Sequence, residues 1–112
     1  MGVGEFDEEV LIEFAIAALL KDEQEPRGIV KTLVQTWPHA PSLSLLYALS
    51  MAASAVEHML SAPAVACRAQ DMWRMIGLLG VDLYTMQCLQ IRHDTAADMH
   101  GYWVQHDPFF LV

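Results

Sequence analysis

The stretch that decides the fold runs from Ser42 to Gln90 and reads SLSLLYALSMAASAVEHMLSAPAVACRAQDMWRMIGLLGVDLYTMQCLQ. Apolar residues recur at helical spacing through nearly all of it, and its single proline is Pro63. One unbroken helix over 43–90 would be about 72 Å long, whereas a compact chain of this size has a radius of gyration near 13 Å. We therefore predict two long helices with a tight turn at 61–63. One kinked, extended helix is the alternative.

Local signals set the expected ends of these two helices. Ser42 is the expected N-cap of the first, which should run to about Leu60 with apolar residues on two faces, and therefore sit centrally. The second should run from Pro63 to about Gln90. Its second half is apolar almost all round, which predicts either the centre of the bundle or the seam of a dimer.

Two shorter helices are expected before this stretch. Asp7 is a good N-cap for a helix that runs to about Lys21, and Phe6 and Leu11 could form a hydrophobic staple across it. A second helix should begin at Pro26, where a missing N–H costs little, and end at Trp37, because a residue before proline avoids the helical region.

The C-terminal part predicts a short helix and a docked tail. Residues 95–98 read Thr-Ala-Ala-Asp, which is typical of a capping box, and the helix should end near Gly101 or Trp103. The tail 107–112 is too apolar to remain in solvent. The predicted fold is all-α: a compact bundle of four main helices plus a short C-terminal helix and a docked hydrophobic tail, in one domain over 1–112.

Composition favours self-association. Only 18% of the 112 residues are charged, against about 25% in an ordinary soluble domain. So small and apolar a domain is expected to carry more apolar surface than a monomer hides. We predict a homodimer built around the two long helices, with methionine-rich, adaptable contacts.

Charge excludes some partners and suggests another. The net charge is −8, and residues 1–25 hold eight acids and one base. The few Lys and Arg residues are dispersed, so neither nucleic acid nor an anionic membrane is expected as a partner. The acidic first helix could face a basic protein. The simpler interpretation is that these acids solvate the start of the helix and favour its positive end.

The expected compartment is the cytoplasm. The N-terminus is acidic rather than basic, which is not typical of a secretory signal, and the longest uncharged stretch is short for a membrane span. Cys67 and Cys88 would lie about 31 Å apart on one helix, too far to form a disulfide. Unpaired cysteines fit a reducing environment.

Four residues stand out as candidate ligands for a small molecule: Glu57, His58, Asp82 and Tyr84. Asp82 interrupts an apolar run, and a buried carboxylate must be paired, hydrogen-bonded or protonated. The alternative places it at the helix edge, in solvent or beside an Arg. Glu57 and His58 point about 100° apart on a helix and cannot act as one pair. Each could equally be an ordinary surface residue.

A second cluster raises the possibility of a metal site. His93, Asp94, Asp98 and His100 are candidate ligands, and His106 and Asp107 follow closely. The spacing is poor for a shared ion, because His93 and His100 would lie nearly 10 Å apart along a helix. The alternative is a polar helix with its flanking loops.

The predicted function is a non-enzymatic, dimeric interaction or regulatory module without a cofactor. The sequence contains no phosphate-binding loop, nucleophile elbow or dinucleotide fingerprint. A helical bundle that binds a small molecule or a metal ion is the alternative. An internal pocket shared by His58 and Asp82 would favour that alternative, whereas an exposed apolar face would favour the interaction module.

Overall fold

Two long antiparallel helices occupy the decisive stretch in the computed structural model, which describes residues 7–21, 24–59 and 62–112. The predicted staple residue Phe6 and the turn residues Leu60 and Ser61 lie outside those ranges. Within these ranges the chain forms five helices and one 3₁₀ turn: α1 (Glu8–Leu20), α2 (Pro26–Thr36), α3 (Ser42–His58), α4 (Pro63–Cys88), α5 (Ala96–Gln105) and the turn Pro108–Leu111. The all-α bundle is confirmed.

The predicted reversal of direction between the two long helices is confirmed, and the single extended helix is wrong. α3 ends at His58, α4 begins at Pro63, and the two helices pack side by side. The radius of gyration is 13.8 Å, as the length argument requires. One stripe of α4 faces the core, and its residues are all buried or half-buried: Val65, Ala69, Met72, Ile76, Leu79, Leu83 and Met86.

Several helix ends match the local cap chemistry. The Asp7 carboxylate accepts a hydrogen bond from the Glu9 backbone N–H at 3.0 Å. Thr95 and Asp98 form the reciprocal capping box of α5. In both cases the capping hydrogen bonds join residues at most four positions apart, which is why the sequence pattern was sufficient.

Other ends differ from the prediction. Pro41, not Ser42, is the N-cap of α3, and the buried Ser42 hydroxyl donates instead to the His93 carbonyl at 2.8 Å. α5 continues to Gln105, beyond the predicted Gly101 or Trp103. α4 ends at Cys88 because Gln90 takes a left-handed conformation, with φ of 59°.

α3 lies centrally, between α1 and α4, as the sequence predicted, but only one of its two apolar faces is buried. One face is buried against α1 and α4, including Leu45, Leu49 and Val56, whereas Tyr47 and Met51 on the opposite side are exposed. Part of the apolar sequence is therefore surface, not core.

The tail docks as predicted. Phe110 is buried, and its ring centroid lies 4.8 Å from that of Trp103 on α5. Within the described ranges, no helix combines the length and apolar character needed to span a bilayer.

Candidate functional site

Asp82 is the one predicted site residue that the fold buries. Its side chain extends from α4 toward α5, and the Trp103 indole Nε1 donates a hydrogen bond to Oδ2 at 2.9 Å. The residue is only 7% exposed. The alternative that placed Asp82 at a solvated helix edge is therefore wrong, and the carboxylate is a buried acceptor for a buried indole.

This environment shifts two acid–base equilibria. Burial raises the pKa of Asp82 above its ordinary value, the charge of Asp107 raises it further, and the Trp103 hydrogen bond opposes both. Burial also raises the pKa of Tyr102, with added contributions from the charges of Asp82 and Asp107. The surroundings of Asp82 thus favour its protonated form more than water does.

A small cavity of about 180 Å³ adjoins the Asp82 carboxylate. Phe109, Phe110 and Leu78 form its apolar walls, and Asp107 is its second acidic residue. One carboxylate oxygen of Asp82 accepts the hydrogen bond from the Trp103 indole. Asp82 therefore has a structural role, because this bond joins α4 to α5.

The other three candidate ligands do not join Asp82. Glu57 and His58 are exposed at the end of α3, and the His58 ring Nδ1 lies 2.7 Å from the Ser54 carbonyl of the same helix. Tyr84 is 68% exposed and borders a different cleft. The structure therefore does not bring these residues into one binding site.

The metal candidates are likewise engaged separately. The Asp98 carboxylate accepts hydrogen bonds from the backbone N–H groups of Asp94 and Thr95, and His93 Nδ1 lies 2.9 Å from the Ile91 carbonyl. His100 meets the edge of Trp103, and His106 stacks on Tyr102. Among residues 7–21, 24–59 and 62–112, no three His, Cys, Asp or Glu side chains are grouped to hold a metal ion.

A mainly apolar groove lies between the start of α3 and the end of α4. We call it the α3–α4 groove; its volume is about 550 Å³. His93 and Asp94 lie at its rim. The residues that define it are Leu43, Leu46, Gly80, Leu83, Tyr84 and Gln87.

An exposed face of α4 continues from this groove toward the start of the helix. Its residues follow the 3-4 spacing of helix–helix contacts, and all six are exposed or half-buried. We call this face the α4 seam. It consists of Gln70, Trp73, Gly77, Gly80, Tyr84 and Gln87.

The two glycines of the seam have no partner within the protomer that requires them. Among the described residues, a Cβ added at Gly77 or at Gly80 would meet no atom within 4 Å. Glycine is a poor helix former, so these two glycines in the interior of a helix weaken it without helping the internal packing. Sequence reasoning missed both. The signal was their position between Trp73 and Tyr84 at helical spacing.

Comparisons with protein-family models, with curated proteins and with solved structures found no significant match for this chain.

Proposed function

We propose that this protein is a cytoplasmic, non-enzymatic interaction module that works as a homodimer and associates through the α3–α4 groove and the α4 seam. The observation that carries the proposal is the exposure of large apolar side chains on this surface. Leu43 is 74% exposed and Tyr84 is 68% exposed, beside half-exposed Tyr47. Contiguous exposed apolar surface is a mark of protein contacts.

Two further observations support this assignment. Of the polar candidate ligands, only Tyr84, His93 and Asp94 line the α3–α4 groove, whose walls are mainly apolar, and this favours contact over catalysis. Cys67 and Cys88 are both free and exposed, which suits a reducing compartment.

The test is the mass of the untagged protein by light scattering, from low micromolar to several hundred micromolar. We expect twice the chain mass of 12.5 kDa. Tyr84→Asp should yield the monomer, because it places a charge in the apolar contact. Val104→Asp is the matched control: Val104 is 61% exposed on α5, outside the groove, and this variant should remain dimeric. A monomer at every concentration would overturn the proposal.

A basic protein partner is proposed for the start of α1. Glu8, Glu9 and Glu13 are exposed there, and the chain carries a net charge of −8. Association with such a partner should weaken steeply as salt is raised, because exposed charges are screened. Glu9→Gln with Glu13→Gln should reduce the rate of association in the same way.

A second candidate function is the binding of a small, mainly apolar molecule in the α3–α4 groove. Its volume of about 550 Å³ lies within the range of ligand sites. Native mass spectrometry of untagged protein tests this, since a bound molecule would add mass to the chain. An added mass that Leu43→Gln removes would favour this candidate over the interaction module.

A further inference from the structure

The α4 seam is symmetric about its own midpoint. Its residues pair outward from the peptide between Leu78 and Leu79: first two glycines, then two aromatic residues, then two glutamines. The spacing on either side of the midpoint is identical. The pairs are Gly77 with Gly80, Trp73 with Tyr84, and Gln70 with Gln87.

This pattern fits one partner in particular. When two copies of a helix pack antiparallel about a two-fold axis, residues equidistant from the axis lie opposite each other, so the same patch must complement itself. A seam that reads alike from both ends meets that requirement. A different protein would require no such symmetry.

We propose that the occupant of the seam is α4 of a second copy, antiparallel, with the two-fold axis between Leu78 and Leu79. Gly77 then faces the partner's Gly80, Trp73 faces the partner's Tyr84, and Gln70 faces the partner's Gln87. This rests on the proposed dimeric function and specifies its geometry.

The glycines account for how closely the helices meet. Neither glycine contacts anything that a Cβ would disturb within the protomer, so the space above them is open. In the dimer that space receives the partner's helix, and the missing side chains let the two backbones approach. The aromatic pairs pack on both sides of this crossing, and the glutamine amides hydrogen-bond across its ends.

Apolar area and charge are both compatible with this arrangement. At about 200 Å² per aromatic side chain, the exposed fractions of Trp73 and Tyr84 amount to roughly 200 Å². Leu43 and the helix surface around the glycines add to this, toward the ~800 Å² per partner of a standard interface. No seam residue is charged, so two chains of net charge −8 can meet here without opposing like charges.

Crosslinking tests the register. In a Cys67→Ser, Cys88→Ser background, one sample carries Gln70→Cys and another carries Gln87→Cys. The two positions are about 25 Å apart along one helix, so an antiparallel dimer keeps identical cysteines far apart. A short bis-maleimide should crosslink a mixture of the two variants as the heterodimer and should crosslink neither variant alone.

The outcomes separate this inference from the proposed function. If light scattering shows a dimer and crosslinks form within a single variant, the two helices are parallel. If light scattering shows a dimer but the mixture gives no crosslink, the dimer uses another surface. Either result overturns the antiparallel seam and leaves the dimeric function standing. A monomer overturns both.

The glycine contact has its own test. Gly80→Leu replaces a poor helix former with a good one, so the thermal stability of the monomer should not fall. The bulky side chain should nevertheless weaken dimerisation at least tenfold, measured by analytical ultracentrifugation. Ala64→Leu, at an exposed position on the same helix outside the seam, should leave the dimer unchanged. An unchanged dissociation constant for Gly80→Leu would refute the close crossing.

Discussion

At the scale of single residues, the charge of Asp82 opposes folding. Burial raises its pKa in the native state above the ordinary value of 3.8 that the unfolded chain retains. Between those two values the native state binds the proton more tightly. The free energy of unfolding therefore falls as pH rises through this window. The whole loss of stability from ionising Asp82 is present above its native pKa.

Asp82→Asn should remove this dependence, because an amide cannot ionise while its oxygen still accepts from the Trp103 indole. Urea unfolding between about pH 4 and pH 7 should show the wild type losing stability relative to the variant as pH rises. Trp103→Phe should extend the window to higher pH, since it removes the hydrogen bond that favours the carboxylate. If the free energies of unfolding of the wild type and of Asp82→Asn change in parallel with pH, the raised pKa of Asp82 is contradicted.

Gln90 is the second residue with a local cost. The Ile91 N–H donates to the Met86 carbonyl at 2.9 Å and the Gln90 N–H donates to the Gln87 carbonyl at 3.0 Å. This is a Schellman end, whose left-handed position is usually glycine. In this protein Gln90 occupies that left-handed position, with a backbone φ of 59°.

Gln90→Gly should relieve that strain. The loss of left-handed strain outweighs the extra chain entropy of glycine, so we expect a gain of about 0.5–1 kcal/mol in the free energy of unfolding. Gln87→Gly is the comparison, because the same substitution within helical backbone should destabilise by a similar amount. Chemical denaturation measures the free energy of unfolding of both variants. A loss of stability for Gln90→Gly would contradict the proposal that Gln90 is strained.

At the scale of elements, Arg68 ties α4 to the end of α1. Its guanidinium donates to the carbonyls of Leu19 (2.9 Å), Ala18 (3.0 Å), Lys21 (2.8 Å) and Gln24 (2.7 Å). Carbonyls at a helix end have no partner within the helix and carry its negative pole. One side chain thus caps the end of α1 and also binds the Gln24 carbonyl just before α2.

Arg68→Met should cost about 2–4 kcal/mol, because it leaves several half-buried carbonyls without donors. Arg68→Lys should recover only part of that loss, since an ammonium cannot reproduce the planar, forked set of donors. Arg74→Met is the control: Arg74 lies on the same helix in an exposed pair with Asp71 at 3.5 Å and should change little. Equal effects at the two positions would rule out the cap.

The sequence predicted those elements whose determinants are local. Asp7 and the Thr95–Asp98 box act within four residues, so their patterns sufficed. The N-cap prediction for Ser42 was wrong because its hydroxyl donates to the His93 carbonyl, 51 residues away. The acceptor role of Asp82 likewise depends on Trp103, 21 residues away. No periodicity reveals such partners.

At the scale of the whole molecule, apolar sequence exceeds what one core uses. The low charge content predicted apolar surface, and part of that surface lies at the α3–α4 groove and the α4 seam, on Leu43, Trp73 and Tyr84. From the sequence, the apolar second half of α4 could be either the centre of the bundle or the seam of a dimer. The choice depends on how α3 packs, because α3 covers the core side of α4 and leaves its seam exposed.

If two chains share this surface, stability must depend on concentration. Mass action stabilises a folded dimer as chain concentration rises, so each tenfold increase should raise Tm by about 3 °C. Tyr84→Asp should show a Tm that is independent of concentration, whereas Val104→Asp should keep the wild-type slope. Differential scanning calorimetry over two decades of concentration measures all three. A flat wild-type line would mean that the folded chain is stable alone and that its exposed apolar face serves another partner.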